Sequence, residues 1–255
     1  MTRNAGPDKR LQRFSRLRRW GVLAAALTLL LLALAPLGWR LGLWHYAIGF
    51  ALIGLAALLA IVGAVLAGIG LGFGRATLSW RGGALPVLAV LLGLGFLAAA
   101  WQVIQHGAVP IHDISTDLDN PPAFIAALPA RQAEQAASAA YAGAALARQQ
   151  QAAYPDIGPI VLAAAPAQAF ALALATARAM PNWTITASDP QAGRIEASQA
   201  SFWFGFVDDV VIRVRPEGDG SRIDVRSLSR IGGGDIGKNA KRIRGYIRTL
   251  LAGQG

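Results

Sequence analysis

The sequence predicts a membrane-anchored α+β protein, in which three N-terminal transmembrane helices precede an extracytoplasmic antiparallel four-stranded sheet packed by helices. Of the 255 residues, 54% are hydrophobic and only 15% are charged, against roughly 25% charged in an average soluble domain. Uncharged apolar runs fill much of residues 20–104, whereas the C-terminal part alternates apolar and polar residues as half-buried strands do. The composition therefore excludes an ordinary soluble domain and a disordered chain.

Three apolar stretches are long enough for a bilayer crossing, which takes about 20 residues. They cover residues 20–38, 44–73 and 84–104, after a basic tail at residues 1–19. The second stretch is longer than one crossing needs, so we expect it to tilt or protrude. Small residues recur in it at every fourth position, which indicates either a specific helix contact or only an Ala-rich composition. This small-residue stripe consists of Ala56, Ala60, Ala64, Gly68 and Gly72.

The basic residues beside these stretches predict their orientation. Seven Lys and Arg residues lie in the tail and two, Arg75 and Arg81, follow the second stretch, while Arg40 alone separates the first two. The positive-inside rule then places the N-terminus in the cytoplasm of a bacterial inner membrane and residues 105–255 in the periplasm or outside the cell. Because the tail carries much of the net charge of +10, the charge favours the lipid bilayer as a partner and argues against nucleic acid.

Residues 105–158 are predicted to form a linker followed by an Ala- and Gln-rich helix. The acidic beginning of this segment is typical of a turn-rich stretch, because Asp and Asn side chains accept hydrogen bonds from nearby backbone N–H groups. Residues 130–152 have high helix propensity but no apolar stripe, which predicts a solvated helix or spacer. A hard-metal cluster is the alternative for the acidic stretch, although the spacing fits no calcium loop; it would use His106, His112, Asp113, Asp117 and Asp119.

Residues 159–255 carry the pattern of a compact α+β domain. A helix over residues 166–180 ends before Pro181, and a final helix runs from about residue 235 to residue 251. Four stretches of strand-like composition lie between these helices, separated by turn residues, at 183–188, 194–201, 206–216 and 221–229. This order predicts an antiparallel sheet with helices on one face.

The last two predicted strands form a hairpin with one apolar and one charged face. A turn at residues 217–220 places Pro216 opposite Ser221 and sets the register of every other pair, so that Arg213 lies opposite Asp224. The apolar face holds Val210, Ile212, Val214, Ile223 and Val225. The charged face holds Asp209, Arg213, Arg215, Arg222, Asp224 and Arg226, and is either a solvated surface or the floor of an anion or polar-ligand site.

The final helix is amphipathic and strongly basic. Its apolar side holds Ala240, Ile243, Ile247, Leu250 and Leu251, and its polar side holds Lys238, Lys241, Arg242, Arg244 and Arg248. We expect the apolar side to pack on the sheet of the same domain. The alternative is that this helix lies on anionic lipid.

Two stretches, FVDDVVIRVRP and IDVRSLSRIGGGDIGKNAKRIRGY, resemble the bacterial family called domain of unknown function 1499. The family pattern is matched at Asp208, Asp209, Arg226, Ser227, Ser229, Arg230, Gly232, Asp235, Gly237, Asn239, Arg242 and Ile243. The resemblance extends over about residues 106–250, because the segment HDISTDLDNPPAF is similar to the opening of longer members. Many members open with a cysteine-containing segment and this chain has no cysteine, so no role of that thiol carries over. The resemblance implies membership and no particular activity.

The sequence favours a binding or interaction domain of unknown ligand over an enzyme. No cysteine is present, which excludes a thiolate nucleophile and cysteine-ligated metal, and no metal or cofactor motif is recognisable. Ser227 or Ser229 as a nucleophile would need a base, and only Asp, Arg and Lys are near in the sequence, so a hydrolase is the least favoured function. The leading hypothesis is an envelope protein that binds a partner protein or an anionic ligand; the alternative is a structural envelope protein with no ligand site.

The hypothetical ligand site consists of Asp209, Arg226, Arg230 and Asn239, which we expect to meet where the last strand ends and the final helix begins. Asp235 is expected to cap that helix by accepting hydrogen bonds from the backbone N–H of Gly237 or Lys238. The alternative is that Asp208 and Asp209 already neutralise both arginines, so that the motif serves folding only.

Overall fold

The computed structural model describes residues 9–73, 84–105 and 109–253 of the chain. The chain divides into two compact units, Met1–His106 and Gly107–Gly255. The described part of the first unit is helical, and the second, called the α+β unit below, combines helices with an antiparallel sheet. This architecture agrees with the predicted class of an α+β protein with N-terminal helices.

The first unit contains the helices α1 (Lys9–Arg40), α2 (Tyr46–Phe73) and α3 (Leu85–Gln105). Two stretches, Arg13–Arg40 and Tyr46–Leu71, are long and apolar enough to cross a bilayer, whereas the apolar part of α3, Leu85–Ala99, is shorter. Since α1 begins at Lys9, the second half of the predicted basic tail continues the first helix. Arg75 and Arg81, on which part of the predicted orientation depends, lie outside the described residues.

Small residues bring the helices of the first unit close together. A Cβ added at Gly93 of α3 would lie 2.8 Å from the carbonyl oxygen of Ala60 on α2, so that a larger residue would not fit there. The hydroxyl of Thr28 on α1 donates to the carbonyl oxygen of Ala56 on α2 at 3.2 Å. Ala56 and Ala60 are buried while Gly68 is exposed, so the first part of the small-residue stripe contacts neighbouring helices.

Six strands and four helices form the described part of the α+β unit. The strands are β1 (Asp113–Ser115), β2 (Ile160–Leu162), β3 (Trp183–Asp189), β4 (Arg194–Ala200), β5 (Val207–Glu217) and β6 (Gly220–Ser229). The helices are α4 (Leu128–Ala133), α5 (Ala144–Ala153), α6 (Pro166–Ala179) and α7 (Lys238–Ala252).

All strand pairs are antiparallel, in the order β1-β6-β5-β4-β3, and β2 pairs with a second part of β6. The four predicted strands correspond to β3, β4, β5 and β6, but the sheet has six strands and not four. The two additional strands, β1 and β2, have three residues each. A stretch of three residues is too short to show an alternating pattern, which is why the sequence does not reveal these strands.

The register of the β5–β6 hairpin is the one that the sequence predicts. Pro216 pairs with Ser221, and Arg213 pairs with Asp224. The pairing continues to Glu217 and Gly220, so the connecting turn has only two residues between the last paired positions. All five aliphatic residues of the predicted apolar face are buried, and Val214, with 6% exposed, is the least buried of them.

Helices α6 and α7 cover this apolar face. Helix α7 contributes Ala240, Ile243 and Leu250 to the core, as expected for packing on its own sheet. It also contributes Tyr246, which is fully buried and stacks on Trp183 with the ring centroids 5.6 Å apart. Leu251, by contrast, is 49% exposed and does not belong to the apolar side as predicted.

Residues 111–141, which we call the cover segment, begin at the edge of the sheet and then cross the opposite, charged face. At its start, β1 pairs with β6. Phe124 and Ala127 then pack against Val211 and Leu228 in a second, small hydrophobic cluster. This segment therefore belongs to the α+β unit, where the sequence predicted a linker.

The Ala-rich stretch at residues 130–152 also differs from the predicted solvated spacer. Arg131 on α4 is 3% exposed, and Gln150 on α5 is fully buried. The Gln150 amide accepts from the backbone N–H of Ser115 at 2.9 Å and donates to its carbonyl oxygen at 2.6 Å. Polar side chains hold this stretch in place, so its sequence lacks the apolar periodicity by which a packed helix is recognised.

Candidate functional site

Arg226, the central residue of the predicted site, is buried beneath the cover segment. Its Nε and Nη2 atoms donate to the two carboxylate oxygens of Asp113, each at 2.8 Å. The guanidinium carbon lies 5.1 Å from the ring centroid of Phe124 and 5.4 Å from that of Tyr141. Burial, together with the charge of Asp113, raises the pKa of Tyr141 to about 12. Arg226 thus pairs with Asp113, and not with Asp208 or Asp209, the carboxylates that the sequence offered to neutralise it.

Asp209 instead binds two other arginines. Its Oδ1 accepts from Arg230 Nη2 at 2.7 Å, and its Oδ2 accepts from Arg131 Nη1 at 2.8 Å. Arg230 also forms an ion pair with Glu134. Its hydrogen bonds to Asp209 raise the pKa of the Arg230 guanidinium above its ordinary value. Asp209 is 1% exposed, so the cover segment closes this cluster from solvent.

A third cluster lies further along the same face. Asp117 of the cover segment accepts from Arg213 Nη2 at 2.9 Å and pairs with Arg222 at 3.0 Å. Arg213 Nη2 also donates to Asp224, at 2.8 Å, and Asp224 is fully buried. Asp117 Oδ1 accepts from the backbone N–H of Asn120 at 3.0 Å, which is the kind of turn expected for this stretch. The carboxylates of the charged face are therefore buried and paired, while Arg213, Arg215 and Arg222 stay partly exposed.

The pH dependence of stability should reflect Asp117. Burial raises the pKa of this carboxyl, but the hydrogen bond from Asn120 and the charges of Arg222 and Arg213 outweigh burial, so the pKa lies below its usual value. A carboxyl with a lowered folded-state pKa stabilises the fold above its unfolded-state pKa and loses this contribution as pH falls. We expect the unfolding free energy to fall below about pH 4 more steeply in the wild type than in Asp117→Asn.

Urea unfolding of the full chain in detergent at a series of pH values measures this difference. Asp119 is exposed, so Asp119→Asn is the control and should keep the slope of the wild type. Equal slopes for Asp117→Asn and the wild type would contradict the assignment.

Asn239, in the first turn of α7, lies on the other side of the sheet. Its Oδ1 accepts from the hydroxyl of Ser227 at 2.6 Å, and its Nδ2 donates to Ser229 Oγ at 3.0 Å and to the carbonyl oxygen of His112 at 2.8 Å. Arg242 donates to Ser227 Oγ at 2.9 Å and pairs with Asp208. Ser227 is fully buried and donates to an amide oxygen, so its environment is that of a structural hydroxyl.

Gly237 occupies the cap position of α7, and Asp235, which the sequence predicted as the cap, lies two residues earlier and bonds to the start of the helix. Its Oδ1 accepts from the backbone N–H of Gly237 at 2.9 Å, and its Oδ2 accepts from that of Asn239, where Lys238 was the predicted alternative. Burial raises the pKa of Asp235, although these hydrogen bonds act in the opposite direction. Gly237, with φ of 75°, occupies the left-handed conformation that glycine adopts without strain.

The four residues of the predicted ligand site therefore do not converge. Asp209 and Arg230 contact each other, Arg226 pairs with Asp113, and Asn239 belongs to a separate cluster on the opposite face. The motif residues divide in the same way. Asp209, Arg226 and Arg230 join the strands to the cover segment, while Asp208, Ser227, Ser229, Asp235, Asn239 and Arg242 join them to α7.

An open groove of about 430 Å³ lies beside the second of these clusters. Lys238, Lys241 and Arg248 of α7 line it, together with Arg242 and Asp208, which pair with each other. No described carboxylate pairs with Lys238, Lys241 or Arg248. The remaining wall is mostly apolar and consists of Met180, Pro181, Trp183, Ala200, Phe202 and Gly245, with Asn182, Gln199 and Ser201.

Sequence reasoning missed this groove, although two signals for it are present. The run SFWFGF at residues 201–206 puts aromatic residues into a turn, and Phe202 is 96% exposed. Gly245 lies inside α7, where alanine would be the stronger helix former. Among the described residues no three His, Cys, Asp or Glu side chains come together as metal ligands, and His106 lies outside those residues.

Comparison with known proteins places the α+β unit in a family without an assigned activity. The sequence profile of the family described as "Protein of unknown function (DUF1499)" matches residues 113–250. No curated protein matches the chain. The crystal structure of TTHA0849 from Thermus thermophilus is similar at 12% identity over 38% of this chain and 97% of that chain, with a TM-score of 0.24.

Proposed function

This chain belongs to the DUF1499 family of proteins of unknown function, and we propose that it is an integral membrane protein whose α+β unit acts as a binding domain outside the cytoplasm. The observation that carries the binding role is the distribution of unpaired charge. The arginines of the family motif are matched by carboxylates, whereas three basic residues of α7 line a groove in which no described carboxylate pairs with them; these are Lys238, Lys241 and Arg248. A domain that only needed to fold would gain nothing from an array of like charges at one groove.

The membrane anchor is supported by the length and composition of the helices. Two helical stretches meet the requirements for crossing a bilayer. The third helix, α3, has 21 residues and is therefore about 31 Å long, close to the hydrocarbon thickness of a bilayer. With three crossings, the seven Lys and Arg residues of the tail stay in the cytoplasm, and the α+β unit lies in the periplasm or outside the cell.

Reporter fusions test this topology. Alkaline phosphatase fused after Gly255 is expected to be active, because the enzyme matures only outside the cytoplasm, while a fluorescent cytoplasmic reporter at the same point should stay dark. A fusion after Arg40 should also give phosphatase activity, and a fusion after Arg81 should not. A fluorescent reporter and an inactive phosphatase after Gly255 would contradict the orientation.

Native mass spectrometry tests the binding role. The full chain, purified from its own membranes in mild detergent, is expected to retain a bound molecule that Lys241→Glu loses. Arg148→Glu is the matched control, because Arg148 is exposed on α5 outside the groove and the same charge is reversed. A bound mass that survives in Lys241→Glu, or no bound mass in the wild type, would contradict a ligand-binding groove.

A structural envelope protein is the second candidate function. The observation in its favour is the closure of the motif, since Asp113, Asp209 and Asp224 are each at most 5% exposed and each pairs with at least one arginine. A protein of this kind needs these buried ion pairs for its stability and needs no ligand. It predicts wild-type behaviour for the Lys241→Glu variant in every binding measurement.

A further inference from the structure

We infer that the groove beside α7 binds a single phosphate-bearing amphiphile, in which a phosphate group carries an apolar body. This inference rests on the proposed binding role and names its ligand class. The groove has the size of a small-molecule site, about 430 Å³ within the range of roughly 300–1,000 Å³. Its lining combines a row of cations with an apolar wall.

The cations point to a phosphate head. Lys238 and Lys241 are three residues apart on α7, so their Cβ atoms are neighbours about 5–6 Å apart and both ammonium groups reach one anion. A phosphate monoester carries about −1.5 to −2 charges at pH 7, which two lysines and Arg248 can neutralise. Asp208 is the one acidic residue in the described lining, and Arg242 already pairs with it. The groove therefore keeps a surplus of positive charge.

The wall opposite these cations fits an apolar body. Met180, Pro181, Trp183 and Phe202 line it, and Phe202 exposes 96% of its surface. Trp183 is held in place by its stacking on the buried Tyr246, so one side of this wall is rigid. Inorganic phosphate would leave this apolar surface in water, and an uncharged apolar molecule would leave the cations without a partner.

Gly245 keeps the middle of the groove open. It lies inside α7, where glycine weakens a helix relative to alanine. A Cβ at this position would lie 3.5 Å from Cε of Met180, an ordinary contact, and its backbone lies outside the left-handed region. Neither packing nor conformation requires glycine here, so the residue's effect is to leave space between Lys241 and Arg248. A larger side chain at residue 245 would occupy the groove without changing its charge.

Calorimetric titration of the full chain in micelles of dodecyl maltoside, a detergent without phosphate, tests the ligand class with 1-naphthyl phosphate as the probe. We expect 1-naphthyl phosphate to bind at least tenfold more tightly than either inorganic phosphate or 1-naphthol. Lys241→Glu and Gly245→Leu should each weaken its binding at least tenfold, the first by charge and the second by volume, whereas Arg148→Glu should bind as the wild type does. Unchanged affinity in both groove variants, or naphthol binding as tightly as naphthyl phosphate, would overturn the inference.

The mass that Lys241→Glu loses in native mass spectrometry identifies the source of the ligand. An organic-soluble molecule containing phosphorus would be a membrane phospholipid, and a water-soluble one would be a free phosphorylated amphiphile; both support the inference. A lost mass without phosphorus would overturn the ligand class and leave the binding role standing. The absence of any Lys241-dependent mass would contradict both.

Discussion

Replacing Arg226 with alanine is expected to lower the free energy of unfolding of the α+β unit by about 3–5 kcal/mol. The side chain is 3% exposed and satisfies both carboxylate oxygens of Asp113. Its removal leaves a buried carboxylate without a cation and empties the space between Phe124 and Tyr141. An unpaired buried charge costs far more than the net gain that the pair provides, which is why removing one partner has a large effect.

Urea unfolding of the full chain in detergent, followed by hydrogen exchange of the β5 and β6 amides, measures this loss. Arg178 is exposed on α6, and Arg178→Ala should change the same free energy by less than about 0.5 kcal/mol. A ligand-binding arginine would behave like Arg178, because its removal impairs binding and leaves folding intact. A loss below about 1 kcal/mol for Arg226→Ala would therefore restore the ligand-site hypothesis for this residue.

Replacing Glu196 with alanine is expected to release the cover segment and to cost about 3 kcal/mol. Glu196 is 1% exposed on β4, and its carboxylate accepts from three consecutive backbone N–H groups. The donors are Ile125 at 2.8 Å, Ala126 at 2.9 Å and Ala127 at 2.9 Å, just before α4 begins. Without the carboxylate, these N–H groups lose their acceptor, and the N–H of the buried Ala127 is the hardest for water to satisfy.

Hydrogen exchange resolves this second effect along the chain. In Glu196→Ala the amides of residues 125–127 should exchange at least tenfold faster, while those of β3 keep their protection. Glu196→Gln retains one acceptor oxygen and should fall between the wild type and the alanine variant. Glu217→Ala, at an exposed position of the hairpin, should change neither exchange nor stability. Unchanged protection of residues 125–127 in Glu196→Ala would contradict the anchoring role.

The hairpin could be predicted from the sequence because its residues alternate strictly. Once the turn fixes Pro216 opposite Ser221, a period of two decides every other pair, including Arg213 with Asp224. The same alternation also argues against the predicted ligand site. Ser227 and Ser229 point to the face opposite Arg226, so a residue that bonds both serines, as Asn239 does, cannot also approach Arg226.

Neither the cover segment nor the packing of α5 could be predicted, because their signals are polar and local. Arg131 and Gln150 look like solvated residues of an Ala-rich helix, and only the partners found in the fold, Asp209 and the backbone of Ser115, explain their burial. The sequence contained one hint, because Val211 is an aliphatic residue on the charged face of the hairpin. In the fold this side chain is 0% exposed. Its burial requires an apolar partner, which Phe124 provides from more than 80 residues earlier in the chain.

A double-mutant cycle on Asp113 and Arg226 tests most directly whether the ion pairs of the family motif serve to stabilise the fold. If they do, Asp113→Ala and Arg226→Ala should each lower the unfolding free energy of the α+β unit by about 3–5 kcal/mol. The double variant should lose at least about 2 kcal/mol less than the sum, because neither charge is then left alone in the interior. Additive losses, or single variants whose unfolding free energy lies within about 0.5 kcal/mol of the wild type, would contradict this stabilising role.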